Sequence, residues 1–207
     1  MKQIKMEHHS VSDWDFEHGA TNRSLSAAQF ISPPTSLRIL EPTTATFMDV
    51  ILCRVPATQC LPQGEVRSWV HSYYRNLHVA QFRNQKPLGS ANQNNGYQIY
   101  LAMNVASLGR YINNVYSERD STTCETFVST WTRYRVVFWN GTTPGDVAAL
   151  CVNLYREVAG EWVQEGSTMY DTDNSWADSE INRIGFRARS TYNHPQYWDD
   201  TELWAPV

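Results

Sequence analysis

The chain is poor in the features that settle a function by inspection. It has 207 residues, of which only 18% are charged, and 17 Lys and Arg stand against 21 Asp and Glu. With no basic excess to meet a phosphate backbone, nucleic-acid binding through a broad positive patch is not expected. Its four cysteines, Cys53, Cys60, Cys124 and Cys151, include no Cys-x-x-Cys pair. A zinc site of the usual spacing is therefore not expected. Cys53 and Cys60 bracket CRVPATQC and either close a small loop or stay reduced, whereas Cys151 sits in an apolar run and reads as a buried thiol. The longest apolar stretch, around Val147–Val152, is far below the ~20 residues of a membrane-spanning helix. No membrane insertion is expected. Lys2 and Lys5 have no apolar run behind them, so the start does not read as a secretory signal. There is no Gly-x-Ser-x-Gly elbow and no phosphate-cradling glycine loop.

What is present is flat and β-forming. Phe, Trp and Tyr make up 13% of the residues, with eight Trp and eleven Tyr. Aromatic and β-branched side chains suit a half-buried pleated surface. The length fits one large domain that buries roughly 70% of its unfolded surface. Residues 1–12 read as a polar arm and 13–207 as one domain. Strands are expected at Ser36–Leu40, Phe47–Val55, Val66–Tyr74, Tyr97–Met103, Leu108–Tyr116, Trp131–Trp139, Val147–Glu157, Glu161–Glu165, Arg183–Ser190 and Tyr197–Trp204, set apart by turn clusters such as NQNNG. In WTRYRVVFW, Thr132, Tyr134, Val136 and Phe138 point one way, and Trp131, Arg133, Arg135, Val137 and Trp139 the other. One face is a core face; the other mixes indole with guanidinium. Short strands, regular turns and no long helix indicate an all-β sandwich or barrel.

Read in order, DFEHG, SPPTSLRIL, WTRYRVVFWNG, GEWVQEG, DNSWADSEINRIGFRA and YWDDTELW resemble the concanavalin A-like lectin/glucanase superfamily. The series is also similar to sugar-binding modules built as β-sandwiches. The resemblance spans roughly residues 13–204 and implies a jelly-roll β-sandwich of two antiparallel sheets. It implies that DWDFEHG and YWDDTELW are neighbouring strands in one sheet. Many sugar-binding relatives hold a structural calcium at that junction. The resemblance then implies Glu17, the Gly19 carbonyl and Asp200 as ligands, with Asp199 as a substitute. Calcium takes six to eight oxygens, which carboxylates and carbonyls supply. The same acids also serve as strand-edge charges.

A catalytic reading fits less well. The Glu-x-Asp-x-Glu strand of the superfamily's glucanases, which aims paired carboxylates at one face, is missing. Asp13, Asp15 and Glu17 give only a different order in a different place. The alginate lyase-like pattern has Tyr100 where a His would stand in Gln98-Ile99-Tyr100. His71, Tyr73 and Arg75 alternate on one strand and so share a face, as a base, an acid and a neutraliser would; a polar outer face has the same look. His8, His9 and His18, with Glu7 and Asp15, either hold a transition metal or are simply the neighbouring histidines of a polar arm. No catalytic set is expected.

Two binding readings remain. Flat aromatics with a few aimed polar groups suit sugars and equally suit protein interfaces. Trp69, His71, Tyr73, Arg133, Arg135 and Trp176 are the candidate glycan or partner residues, with Trp176 carried on the loop DTDNSWAD. Trp14, Phe138 and Trp204 are expected in the core. A leaderless jelly roll with a polar arm resembles accessory proteins of virus and phage particles, such as capsid decorations and tail or fibre parts. That resemblance implies a non-enzymatic structural or attachment component, assembled in the cytoplasm with other protein subunits and displayed on a virion or other extracellular surface. The alternative is a free carbohydrate-binding module with a structural calcium; a polysaccharide lyase or hydrolase stands third.

Overall fold

The computed structural model describes residues 2–6, 14–16, 23–31, 36–39, 49–53, 63–73, 76–85, 95–113, 115–177, 183–188 and 195–205. Among these residues there are fifteen strands, numbered in chain order, and no helix. They form two antiparallel sheets.

The larger sheet runs β13 (Glu161–Asp171), β12 (Ala148–Val158), β11 (Thr132–Thr142), β6 (Gly64–Ser72), β15 (Gln196–Ala205), β4 (Ser36–Ile39) and β3 (Arg23–Ser26). Strand β1 (Lys2–Met6) also joins β15, beside its second half, with Lys2 opposite Ala205 and Met6 opposite Thr201. The smaller sheet runs β10 (Val115–Thr123), β9 (Val105–Ile112), β8 (Gly96–Ala102), β7 (Asn76–Asn84), β14 (Arg183–Ala188), β5 (Asp49–Cys53) and β2 (Trp14–Phe16).

The alternation of WTRYRVVFW holds. Thr132, Tyr134, Val136 and Phe138 are buried, and the residues between them are half-buried. Inward side chains of both sheets interdigitate, as expected for sheets packed ~10 Å apart. Phe82 of the smaller sheet stacks on Phe138 of the larger at 4.5 Å between ring centres. Phe186 meets Trp198 at 5.3 Å across the same gap, with the rings tilted by 34°. Edge strands β10 and β13 are stitched together: the Ser167 amide donates to Thr122 Oγ1 at 2.7 Å, and the Tyr170 amide to Asp120 Oδ2 at 2.8 Å.

Three expectations need correction. The strand from DWDFEHG is not beside YWDDTELW. It is β2, at the edge of the smaller sheet against β5, whereas β15 lies in the larger sheet between β6 on one side and β4 and β1 on the other. The partner that the chain's beginning supplies to its last strand is β1, drawn from the segment read as a polar arm. Leu108–Tyr116 is not one strand but parts of β9 and β10, joined by a turn in which Asn113 takes positive φ. Trp204 is not a core residue. A bulge between Asp199 and Glu202, with Asp200 at φ 44°, inserts one extra residue into β15. Such an insertion flips every later side chain to the other face. Trp198 therefore stays in the core, Leu203 joins it, and Glu202 and Trp204 turn outward.

Candidate functional site

The outward face of the larger sheet gathers aromatic rings, arginines and acids. On β6, Glu65, Arg67, Trp69 and His71 alternate with the core residues Val66 and Val70 and with buried Ser68. Arg133 stands opposite Trp69 and Arg135 opposite Arg67 across the β6–β11 pair, and Tyr155 stands opposite Arg135 on β12. Trp162 reaches in from β13 and Trp204 from β15.

These side chains form an alternating row. The Arg133 guanidinium lies 5.9 Å from the Trp69 ring centre and 5.5 Å from that of Trp162. The Arg67 guanidinium lies 5.7 Å from Trp162 and 4.3 Å from Trp204. The order is thus indole, guanidinium, indole, guanidinium, indole. Guanidinium over an indole face is a favourable cation–π arrangement. Arg135 similarly lies 5.1 Å from the Tyr155 ring.

Three carboxylates fix the arginines. Glu65 is fully buried and receives Arg67 on one oxygen and Arg135 Nε, at 2.7 Å, on the other. Glu157 takes Arg133 Nη1 at 2.9 Å. Glu202 takes Arg133 Nη2 at 3.3 Å, pairs with Arg67 Nη1 at 3.8 Å, and accepts from the Trp204 indole N–H at 2.9 Å. Paired, planar guanidinium contacts of this kind hold long side chains in one geometry. The three indoles remain half-buried, so their faces are part wet and part packed. Beside the row, Gln63, Gly64, Glu65, Arg135, Val137, Phe138 and Trp139 line a hollow of about 270 Å³.

Of the residues singled out from the sequence, Trp69, Arg133 and Arg135 come together in this row. His71 lies further along the same face but is buried, in a ring cluster with Tyr73 at 4.8 Å, Trp131 at 5.4 Å and Tyr197 at 5.7 Å. Burial lowers its pKa below the ordinary imidazole value, partly offset by a hydrogen bond to the Ser129 backbone. Tyr73 accepts from Gln29 Nε2 at 3.1 Å. Arg75 lies outside the described residues. The residues that sequence reasoning missed are Glu65, Arg67, Tyr155, Glu157, Trp162 and Glu202. Counting in twos from Trp69 finds Arg67 and Glu65; the others need the strand pairing.

Trp176 lies elsewhere, at the end of the sandwich. Its φ is +61°, rare for a bulky side chain. The ring packs edge-on to Tyr97 at 5.5 Å and against the core, so it is not displayed on a loop tip. Around it, Asp171 accepts from Tyr97, Arg110 and Arg119, and Asp173 pairs with both arginines at 2.6 Å. Arg83 donates to Asn174 Oδ1, the Ser175 carbonyl and Asn140 Oδ1. This network locks the backbone of residues 171–176 and holds the strained conformation in place.

At the expected calcium junction, Glu17 and Gly19 lie outside the described residues, as do His8, His9, His18 and Glu7. Asp199 is buried, its Oδ2 accepting the Ile31 amide at 2.7 Å and its Oδ1 the Asp200 amide at 2.9 Å. Among the described residues no three His, Cys, Asp or Glu side chains group as metal ligands. With Phe16 in the opposite sheet and both Asp199 oxygens engaged, the described residues do not fit the ion on their own.

The architecture has known counterparts. The VIP36 exoplasmic/lumenal domain, solved in a Ca2+/Man3GlcNAc-bound form, superposes with a TM-score of 0.57 at 14% identity, covering 99% of this chain and 88% of that one. Arcelin-5, a lectin-like defence protein from Phaseolus vulgaris, gives 0.56 at 9% identity over 98% and 96%. The carbohydrate-binding module CBM66 from Bacillus subtilis gives 0.52 at 8% identity over 93% and 96%. The fold is a concanavalin A-like jelly roll. At such identities the likeness is one of fold, and fold alone does not carry a site from one protein to another. No protein-family model and no curated protein matches the sequence.

Proposed function

We propose that this jelly roll is a non-enzymatic carbohydrate-binding protein whose sugar surface is the outward face of the larger sheet. The observation that carries the reading is the row Trp69–Arg133–Trp162–Arg67–Trp204, with its indoles half-buried and its guanidiniums held by Glu65, Glu157 and Glu202. Flat apolar rings supply stacking area for sugar rings, and fixed polar groups between them orient hydroxyls. A surface already rigid loses little freedom on binding. The Man3GlcNAc-bound VIP36 domain, the lectin-like arcelin-5 and the binding module of the same fold support this reading. The non-catalytic part rests on the acids of the face: Glu65, Glu157 and Glu202 are committed to arginine, Asp199 accepts two backbone amides, and neither Glu65 nor Asp199 is exposed.

In the same reading the protein acts as an attachment component of a larger assembly, such as a virus or phage particle. Ile112 and Val115 support this: they stand opposite each other across the β9–β10 pair, beside the turn, and both are exposed. An apolar cluster on a surface marks a contact for another subunit.

The test is a glycan array probed with the wild-type chain and with Trp69→Ala, alongside native mass by light scattering. Glycan binding that Trp69→Ala removes supports the sugar surface; no binding to any glycan sinks it. A discrete oligomer that Val115→Asp dissociates supports the assembly role. A strict monomer at all concentrations argues instead for a free binding module.

A further inference from the structure

Resting on the reading of the larger sheet's outward face as a carbohydrate surface, we infer that its ligand is a neutral saccharide chain and not an acidic or sulfated one. Three half-buried arginines on the outward face look at first like an anion site, and guanidinium is well shaped for carboxylate and sulfate. Here, however, each of these arginines already carries an ion pair. Arg67 gives one terminal nitrogen to Glu65 and faces Glu202 with the other. Arg133 gives one to Glu157 and the other to Glu202. Arg135 spends Nε and Nη2 on Glu65.

Three positive charges thus meet three negative ones. Further along the face Arg38 and Asp199 add one of each sign, and His71 is kept towards its neutral form by burial. Within the row and its carboxylates the charges balance, and the one further cation that the β1–β15 register sets beside them is Lys5, opposite Glu202.

Local geometry agrees. An acidic sugar has to displace a protein carboxylate from its arginine, and would leave that carboxylate unpaired on a half-buried surface. Unpaired charge in such a setting is costly. A neutral ring needs no displacement. Its hydroxyls donate to the remaining lone pairs of Glu157 and Glu202, while its apolar face lies on Trp69, Trp162 or Trp204. The hollow beside Val137 and Trp139, at about 270 Å³, falls below the ~300–1,000 Å³ of drug-sized sites and suits a single ring. Its one carboxylate, Glu65, is clamped from two sides.

The experiment is affinity electrophoresis of the full chain through gels holding laminarin, galactomannan or hydroxyethylcellulose, and through gels holding polygalacturonate, alginate or heparin, each at low and high sodium chloride. The expected result is retardation by at least one neutral polymer, weakened about tenfold in Trp162→Ala and changed less than about twofold by salt, since no net charge is screened. A second variant, Glu157→Gln, uncovers Arg133; it is expected to gain about fivefold in affinity for polygalacturonate, the worth of one exposed pair. Salt-sensitive retardation by a polyanion that Trp162→Ala abolishes overturns the neutral ligand and leaves the sugar surface standing. Failure of Glu157→Gln to gain any affinity for polygalacturonate also counts against it. Absence of retardation in all six polymers, with a folded protein by circular dichroism, overturns the sugar surface itself.

Discussion

The Tyr97 hydroxyl donates to Asp171 Oδ2 at 2.7 Å, joining the smaller sheet to the last residue of β13 in the larger. The same hydroxyl accepts the Ser175 amide at 3.0 Å. Burial first, and the Asp171 carboxylate second, push the Tyr97 pKa up to about 12. A folded-state pKa above the unfolded ~10 means that this contribution to stability is whole below pH ~10 and is lost as pH rises towards that raised value. Absorbance titration should therefore show late-ionising tyrosine, to which Tyr134, raised even further by burial, also contributes. Tyr97→Phe removes the donor from a buried carboxylate. It should cost about 1–3 kcal/mol in urea unfolding; a loss well under that range would make the link idle.

His71 should make the protein acid-sensitive. Its imidazole is buried and its pKa is lowered, first by desolvation. The folded state then binds a proton less readily than the unfolded chain, whose imidazole titrates near ~6.5. Stability should fall as pH drops from ~6.5 towards the lowered value, and be unaffected by this group above ~6.5. Unfolding measured over a pH series should show that slope, and His71→Asn should flatten it. An imidazole that titrates at or above ~6.5 by NMR would refute the assignment.

Cys124 and Cys151 are buried free thiols. Burial is the main cause raising both, Cys124 to about 11. Thiolate is the reactive form, so at neutral pH iodoacetamide should label neither in the native protein and both after denaturation. Peptide mapping by mass spectrometry separates them from Cys53 and Cys60. Rapid native labelling of Cys124 would contradict its placement.

Two glycines with left-handed backbone should respond unequally to alanine. Gly160, φ +88°, has open space where a Cβ would go, so Gly160→Ala should cost only the left-handed backbone term, about 1–2 kcal/mol. At Gly166, φ +64°, a Cβ would meet Thr122 Oγ1 at 2.1 Å and the Thr123 carbonyl at 2.5 Å. Gly166→Ala adds a clash to the same backbone term and loosens the β10–β13 stitch. It should cost at least about 2 kcal/mol more. Equal thermal melting of the two variants would show that the edges are not tightly held.

Where the hydrophobic pattern is strong, the strands could be read from the chain: β11 falls near its expected position because one face is buried and the period of two is plain, and β12 because of its buried apolar run Ala149–Val152. Strand β10, VYSERDSTT, could not be read that way. It is a sheet edge, exposed or half-buried throughout, and nothing in it alternates. Strand β1 escaped notice because its pairing with β15 is a long-range fact, invisible in five local residues. The same limit put DWDFEHG in the wrong sheet. At the candidate site Trp69, Arg133 and Arg135 were legible from alternation alone. Trp204 and Glu202 were not, because a straight count from Trp198 through Asp200 gives the wrong side, and local composition does not announce the bulge.

The bulge also bears on how this strand can evolve. It takes up one extra residue between Asp199 and Glu202, and the later positions stay in step with β6. In relatives that keep the insertion, positions 197 and 199 will vary together with 202 and 204, and 198 with 203. A lineage that loses one residue there would straighten the strand without changing its phase: Asp199 and Glu202 would then stand two apart, as their partners Trp69 and Arg67 do, with the indole still outward and the leucine still in the core. A one-residue deletion at this point should therefore be tolerated better than one between Glu202 and Trp204, which would shift the positions after it to the other face.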